Sequence, residues 1–127
     1  MGYEVRITRK QDWSDQEGPE IPLTEWIAVV AADPEMRLDG FADASVGGGA
    51  ILRIESDGLS VWTAYSRHRE DGPMVWFDFR QGNVVVKNPD TEVLRKMWSL
   101  AEALSAKVQG DEGEVYDATG QQLPVPR

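Results

Sequence analysis

The chain has 127 residues, with 22 Asp and Glu against 13 Lys and Arg, a formal charge of −9, one histidine and no cysteine. That length suits one domain with a core of its own, and the missing cysteines exclude a disulfide framework, thiolate chemistry and a cysteine-based metal site. The charge repels nucleic acid and anionic lipid and steers the chain toward basic partners, although the same charge also serves plain solubility.

The N-terminus opens on a charged, alternating segment rather than a signal peptide, so a cytoplasmic location is expected. The Met1-Gly2 start has Arg6 where a myristoylation motif needs Ser or Thr. Tyr3, Val5 and Ile7 alternate with Glu4, Arg6 and Thr8, which predicts a half-buried strand. Residues 11–20 carry Asp12, Asp15, Glu17 and Glu20 with Gly18 and Pro19, and Trp13 as the one large apolar residue; they predict an exposed acidic loop.

Thr24 is placed to cap a helix, with Glu25 at the positive end of its dipole. Trp26, Ile27, Val30 and Ala31 share its apolar side. Asp33-Pro34 ends it, and Asp33 suits the cap of a second short turn through Glu35 and Met36. The apolar run 26–32 is seven residues, far below the roughly 20 that cross a bilayer as a helix.

Strands are expected through residues 41–87. Residues 50–54 are apolar and β-branched, Asp57-Gly58 is a turn signal, and residues 59–66 alternate. Residues 66–73 form a charged loop ending in Asp71-Gly72-Pro73. Residues 74–80 and 84–87 flank Gln81-Gly82-Asn83 and make the clearest hairpin. Asn88 and Pro89 suit the cap and first turn of the main helix. Its stripe runs through Leu94, Met97, Trp98, Ala101, Leu104 and Val108 to a cap at Gly110, with Glu92 and Lys96 spaced for an ion pair. A short strand at 114–116 follows, and residues 119–127 read as a flexible tail. The predicted class is α+β, one domain over 1–118, with an antiparallel sheet of about five or six strands and two helices on one face, in the order β-α-β-β-β-β-α-β.

Catalytic patterns are scarce. His68 sits in a charged loop, where an exposed histidine is the ordinary reading, and there is no Gly-x-Ser-x-Gly elbow for it to serve. Gly47-Gly48-Gly49 lacks the Lys-Ser/Thr of a phosphate loop and reads as a turn or bulge. Asp111, Glu112, Glu114 and Asp117 offer oxygens but do not match a calcium loop. No spacing among the acids singles out a hydrolase pair. The chain is therefore read as a non-enzyme with no cofactor and no metal.

Charge is uneven along the chain. Residues 1–40 hold nine acids and four bases, residues 41–108 nine and eight, and residues 109–127 four and one. The surplus sits at the two ends, and the terminal strand can bring 109–117 beside 11–20. Trp13 among carboxylates is a lid folded onto the core, an anchor for a basic partner, or both. The candidate partner-binding residues are Asp12, Trp13, Asp15, Glu17, Glu20, Asp111, Glu112 and Glu114.

Ile7-Thr8-Arg9-Lys10-Gln11-Asp12-Trp13, then Trp26, then the run from Val75-Trp76-Phe77-Asp78-Phe79-Arg80 to Asn88-Pro89, and finally the run from Ala101-Glu102-Ala103-Leu104 to Gln109-Gly110-Asp111-Glu112-Gly113-Glu114-Val115-Tyr116 carry a resemblance. The chain resembles a group of small bacterial proteins associated with immunity-type partners of polymorphic toxins, the Rhs or secretion-delivered kind. The resemblance covers most of residues 3–116, and its last run is the most specific. It implies a cytoplasmic antidote that docks on a cognate, basic toxin domain, and it supplies no functional residues. The alternatives are an interaction or adaptor domain unrelated to toxins, and a carboxylate-dependent hydrolase.

Overall fold

The computed structural model describes residues 3–70, 72 and 74–124. Met1, Gly2, the Asp71 and Pro73 of the expected loop end, and 125–127 of the expected tail lie outside the described residues. The class is α+β, as expected. The elements are β1 (Glu4–Thr8), α1 (Leu23–Ala32), β2 (Met36–Leu38), β3 (Phe41–Gly47), β4 (Ala50–Glu55), β5 (Ser60–Trp62), β6 (Trp76–Arg80), β7 (Asn83–Lys87), α2 (Thr91–Ala103), β8 (Lys107–Gly110) and β9 (Val115–Tyr116). Seven strands form one open antiparallel sheet in the order β2-β5-β6-β7-β1-β8-β9, and β3 and β4 form a separate hairpin. The sheet is thus larger than the five or six strands expected, because β2 and β8 come from residues read as turn and helix.

The β6–β7 hairpin turns through Gln81 and Gly82, both left-handed (φ 51° and 79°), the geometry that matches the twist of paired strands. Gly82 is also required by space, since a Cβ there would meet the Glu20 side chain. At Asp57-Gly58 the chain does turn, with Leu59 N–H donating to Ser56 O at 3.1 Å. The strands on either side do not pair with each other: β4 pairs with β3, and β5 with β2 and β6.

The N-cap of α1 lies two residues before the expected one. Pro22 holds the N-cap position, and its carbonyl accepts from Glu25 and Trp26 N–H at 3.0 and 3.2 Å. Its ring fixes a backbone angle suited to helix entry, so Thr24 lies inside the first turn. Trp26 and Val30 are buried while Ala31 is exposed, which narrows the predicted stripe. At the far end Asp33 is extended, as a residue before proline must be. Asp33 caps a short turn as expected, its carboxylate accepting from Glu35 N–H at 2.9 Å and its carbonyl from Met36 N–H at 3.0 Å, and the chain then runs into β2.

Helix α2 is capped by Asp90, whose carboxylate accepts from Val93 N–H at 2.9 Å, not by Asn88. Asn88 is left-handed (φ 49°), and its side-chain oxygen accepts from Tyr3 N–H at 2.8 Å, closing the end of β7 onto the N-terminus. The helix stops at Ala103 rather than near Gly110. Ser105 reverses the chain in a left-handed conformation, and Val108 continues as part of β8. Gly110 is a strand residue packed against the Glu114 side chain, with no room for a Cβ. The expected Glu92–Lys96 pair does not form. Lys96 instead bonds Asp33 at 2.6 Å and Glu35 at 3.0 Å, tying α2 to the end of α1, while Glu92 accepts from Ser66.

The core unites both helices with one sheet face. Val5 faces Val86, and Ile7 faces Val84 and Val108, in cross-strand register. These pack with Phe77, with Trp26 and Val30 of α1, and with Met97, Leu100 and Leu104 around α2. Trp26 stacks on Phe77 with ring centroids 6.2 Å apart, and its indole N–H donates to Gly58 O at 2.7 Å. Past β9, residues 119–124 are fastened to the body: Gly120 packs on Thr91 and Leu94, and Leu123 N–H donates to Val115 O at 2.7 Å.

Candidate functional site

Strand alternation dictates what lies on the opposite face of the sheet. The residues between the core-facing ones are Arg37, Val61, Trp76, Asp78, Val85, Arg6 and Gln109, aligned across β2, β5, β6, β7, β1 and β8. Among the described residues no helix lines the hollow at the Arg6 end of this face. The segment 11–20 covers part of it instead.

Trp13 is the centre of that cover. Its ring lies over the Arg6 guanidinium, 3.4 Å from carbon to ring centroid. Its backbone N–H donates to Gln109 Oε1 at 2.7 Å, and its carbonyl accepts from Asn83 Nδ2 at 3.1 Å. Asn83 in turn accepts from the Thr8 hydroxyl at 2.7 Å, and Lys107 Nζ donates to Gln11 O at 2.6 Å. Trp13 is half-buried, and it covers a polar seam rather than the apolar core.

The two acidic segments meet here, as the charge distribution suggested. Arg6 is buried and forms ion pairs with Asp111 and with Glu4, the latter at 2.9 Å. Asp111 also accepts from Glu4 N–H at 2.9 Å. The hydrogen bond from Arg6, then that from the Glu4 amide, holds the Asp111 carboxyl below the usual range. Asp12 accepts from the Ser14 hydroxyl and amide, which lowers its pKa, and exchanges backbone contacts with Asp15. Glu114 accepts from both the Tyr3 and the Tyr116 hydroxyls. Burial raises the Glu114 pKa, but these bonds outweigh it and leave the carboxyl low. Burial, then the bond to Glu114, pushes Tyr3 up to about 12 and Tyr116 up as well.

The eight predicted residues therefore divide. Asp12, Asp111, Glu114 and Trp13 hold the two segments in place. Asp15, Glu17, Glu20 and Glu112 are exposed, and among the described residues none of them is ion-paired. Asp15 and Glu20 edge a polar hollow of about 600 Å³ whose floor includes Arg6, Lys10, Trp13 and Asn83.

Several residues of this face escaped the sequence reading. The alternation of β1 puts Arg6 and Thr8 opposite the core, but nothing in the pattern shows that they are buried. Lys10 is 4% exposed and bonds the Gln81 carbonyl at 3.3 Å beneath the 11–20 segment. A second hollow of about 480 Å³ adjoins the first, sharing Arg80 and Val85, and is walled mainly by apolar groups including Met74, Trp76 and Pro89.

His68 differs from the exposed loop residue expected. Its side chain is 13% exposed, its Nε2 contacts Glu70, and its buried Nδ1 has no hydrogen-bond partner among the described residues. Glu70 also pairs with Arg37 at 2.9 Å, so the histidine helps fold the 66–70 loop onto β2. Among the described residues no three His, Asp or Glu side chains are grouped as a metal site; Asp117 bonds Thr119 and Gln121 instead. No helix of the described residues is long and apolar enough to cross a membrane. No family model, curated protein or solved structure matches the chain.

Proposed function

We propose that the chain is an immunity-type protein that binds and neutralises a cognate, basic toxin domain through the face built around Trp13. One observation supports this most: segments far apart in sequence, 11–20 and 110–114, are drawn together with four exposed carboxylates left without cations. An acidic surface of this kind accelerates encounter with a basic protein. A half-buried aromatic at its centre supplies the rigid contact area on which binding energy concentrates. Nuclease toxins carry basic surfaces because they bind phosphate, which makes them suitable targets.

The role rests on contact and not on chemistry. Arg6, Asp111, Gln109 and Asn83 fix Trp13 before any partner arrives, so little ordering entropy is lost on docking. The free carboxylates surround it and reward a partner with Lys or Arg at matching positions.

Co-expression tests the reading. Any large protein encoded beside this chain supplies the candidate: its C-terminal domain is expressed with wild type or with an Asp15→Lys, Glu17→Lys, Glu20→Lys, Glu112→Lys variant. Growth rescued by wild type and lost with the folded variant supports the proposal. A neighbouring domain that is harmless alone, or rescue undiminished by charge reversal, contradicts it.

A further inference from the structure

The β3–β4 hairpin stands apart from the rest of the fold. It forms its own two-stranded sheet, and every described side chain from Phe41 to Glu55 is exposed, with Ile51 68%, Leu52 51% and Phe41 37% accessible. A lone two-stranded ribbon is at best marginally stable in water, and both of its edges offer unpaired backbone groups. A Cβ at Gly47, Gly48 or Gly49 would meet nothing within 4 Å, so these three glycines at the tip face open space among the described residues.

Next to the root of this arm lies the apolar hollow of about 480 Å³, walled by Leu59, Met74, Trp76, Val85, Pro89 and Val93. Ser56, the residue following β4, is part of its wall and donates to Asp78 at 2.9 Å. The molecule thus carries an apolar protrusion beside an apolar recess. We propose that two copies of the chain exchange arms, the β3–β4 hairpin of each lying in the Trp76 hollow of the other. A two-fold axis beside a protrusion and a recess brings each onto the other's complement and closes the assembly at two.

Charge is compatible with self-association at this surface. Two chains of −9 repel across most of their area. The arm carries Asp43, Arg53 and Glu55, and Arg53 is already paired with Asp43 at 2.8 Å. At the hollow, Lys87 is exposed and has no ion pair among the described residues, and Arg80 is shared between Asp78 and Glu4. The hollow's own acids are engaged, Asp78 with Arg80 and Ser56, and Asp90 with the Tyr65 hydroxyl and Val93 N–H. Glu55 of one copy therefore has a cationic lip to meet on the other.

Sedimentation velocity of the full chain from about 1 µM to about 500 µM reads the equilibrium directly. Wild type is expected to pass from monomer to dimer across that range. Ile51→Asp with Leu52→Asp, both on exposed positions that leave the circular dichroism unchanged, is expected to raise Kd at least about tenfold. Lys87→Glu raises it about threefold, and adding Glu55→Lys restores it. A monomer at every concentration overturns the proposal, even where the arm proves necessary for a different protein. So does a dimer indifferent to the arm variant. A dimer that needs the arm but ignores both the Lys87→Glu change and its Glu55→Lys complement would place arm on arm, and would equally overturn the exchange.

Discussion

On one face of the seven-stranded sheet Trp26, Phe77 and Met97 are sealed from water by two helices; on the other, Arg6 lies under Trp13 and between two carboxylates. The first face is held by apolar burial, which is insensitive to direction. The second is held by directed bonds, each needing a specific partner at a specific distance. The apolar face needs a helix on it to be stable in water. The polar face can stay open, and only an open face can receive another protein.

Substitutions separate the two faces by size of effect. Phe77→Ala removes a fully buried ring stacked on Trp26 and is expected to cost about 3–5 kcal/mol of stability by urea denaturation. Partner binding, measured on the folded fraction, stays unchanged. Arg6→Ala leaves Asp111 without its cation, Glu4 with Arg80 alone at 3.7 Å, and Trp13 without its support. It is expected to cost about 3 kcal/mol and to weaken partner binding as well. An Arg6→Ala protein as stable as wild type would show that the open face contributes nothing to the fold. Trp13→Ala is expected to lose only about 1 kcal/mol of stability, the size of a cation–π contact, yet about 2 kcal/mol or more of partner binding. Equal losses in both would make Trp13 a cover and nothing further.

Smallest is the pH effect at Glu114. Its carboxyl is lower than usual in the fold, so its contribution is full above the ordinary carboxylate range and fades as pH falls through the lowered value. Tyr3 and Tyr116 are raised, so their contribution is full below pH about 10 and fades as pH climbs through the raised values. Glu114→Gln is expected to flatten stability at both ends, read from thermal midpoints across pH. Midpoints with unaltered pH dependence would deny the cluster its role.

The apolar face was legible in the sequence. Period two in β1 and β7, the turn at Gln81-Gly82 and the spacing from Leu94 to Ala101 all follow from burial on one side, which leaves a periodic trace. Helix ends were less legible, because Asn88-Pro89 fits a cap rule yet Asn88 takes a left-handed conformation to reach Tyr3. Val108 kept helical spacing across a chain reversal at Ser105, so β8 was read as helix. Of the candidate site, the meeting of the two acidic segments followed from charge. The bonding that assigns Asp111 to Arg6 and leaves Glu20 free did not, since ion pairs between distant strands leave no pattern in either one. The isolation of the β3–β4 arm was hidden for a related reason: its sequence is an ordinary strand pair, and only the register of the other strands excludes it from the sheet.

Stopped-flow association of the chain with the basic domain it is proposed to bind, followed by tryptophan fluorescence as salt rises from about 0.05 M to about 0.5 M, bears most directly on the acidic face. Electrostatic encounter predicts a rate that falls more than about tenfold over that range, with the Asp15, Glu17, Glu20 and Glu112 charge-reversal variant slow throughout. A wild-type rate indifferent to salt would contradict it.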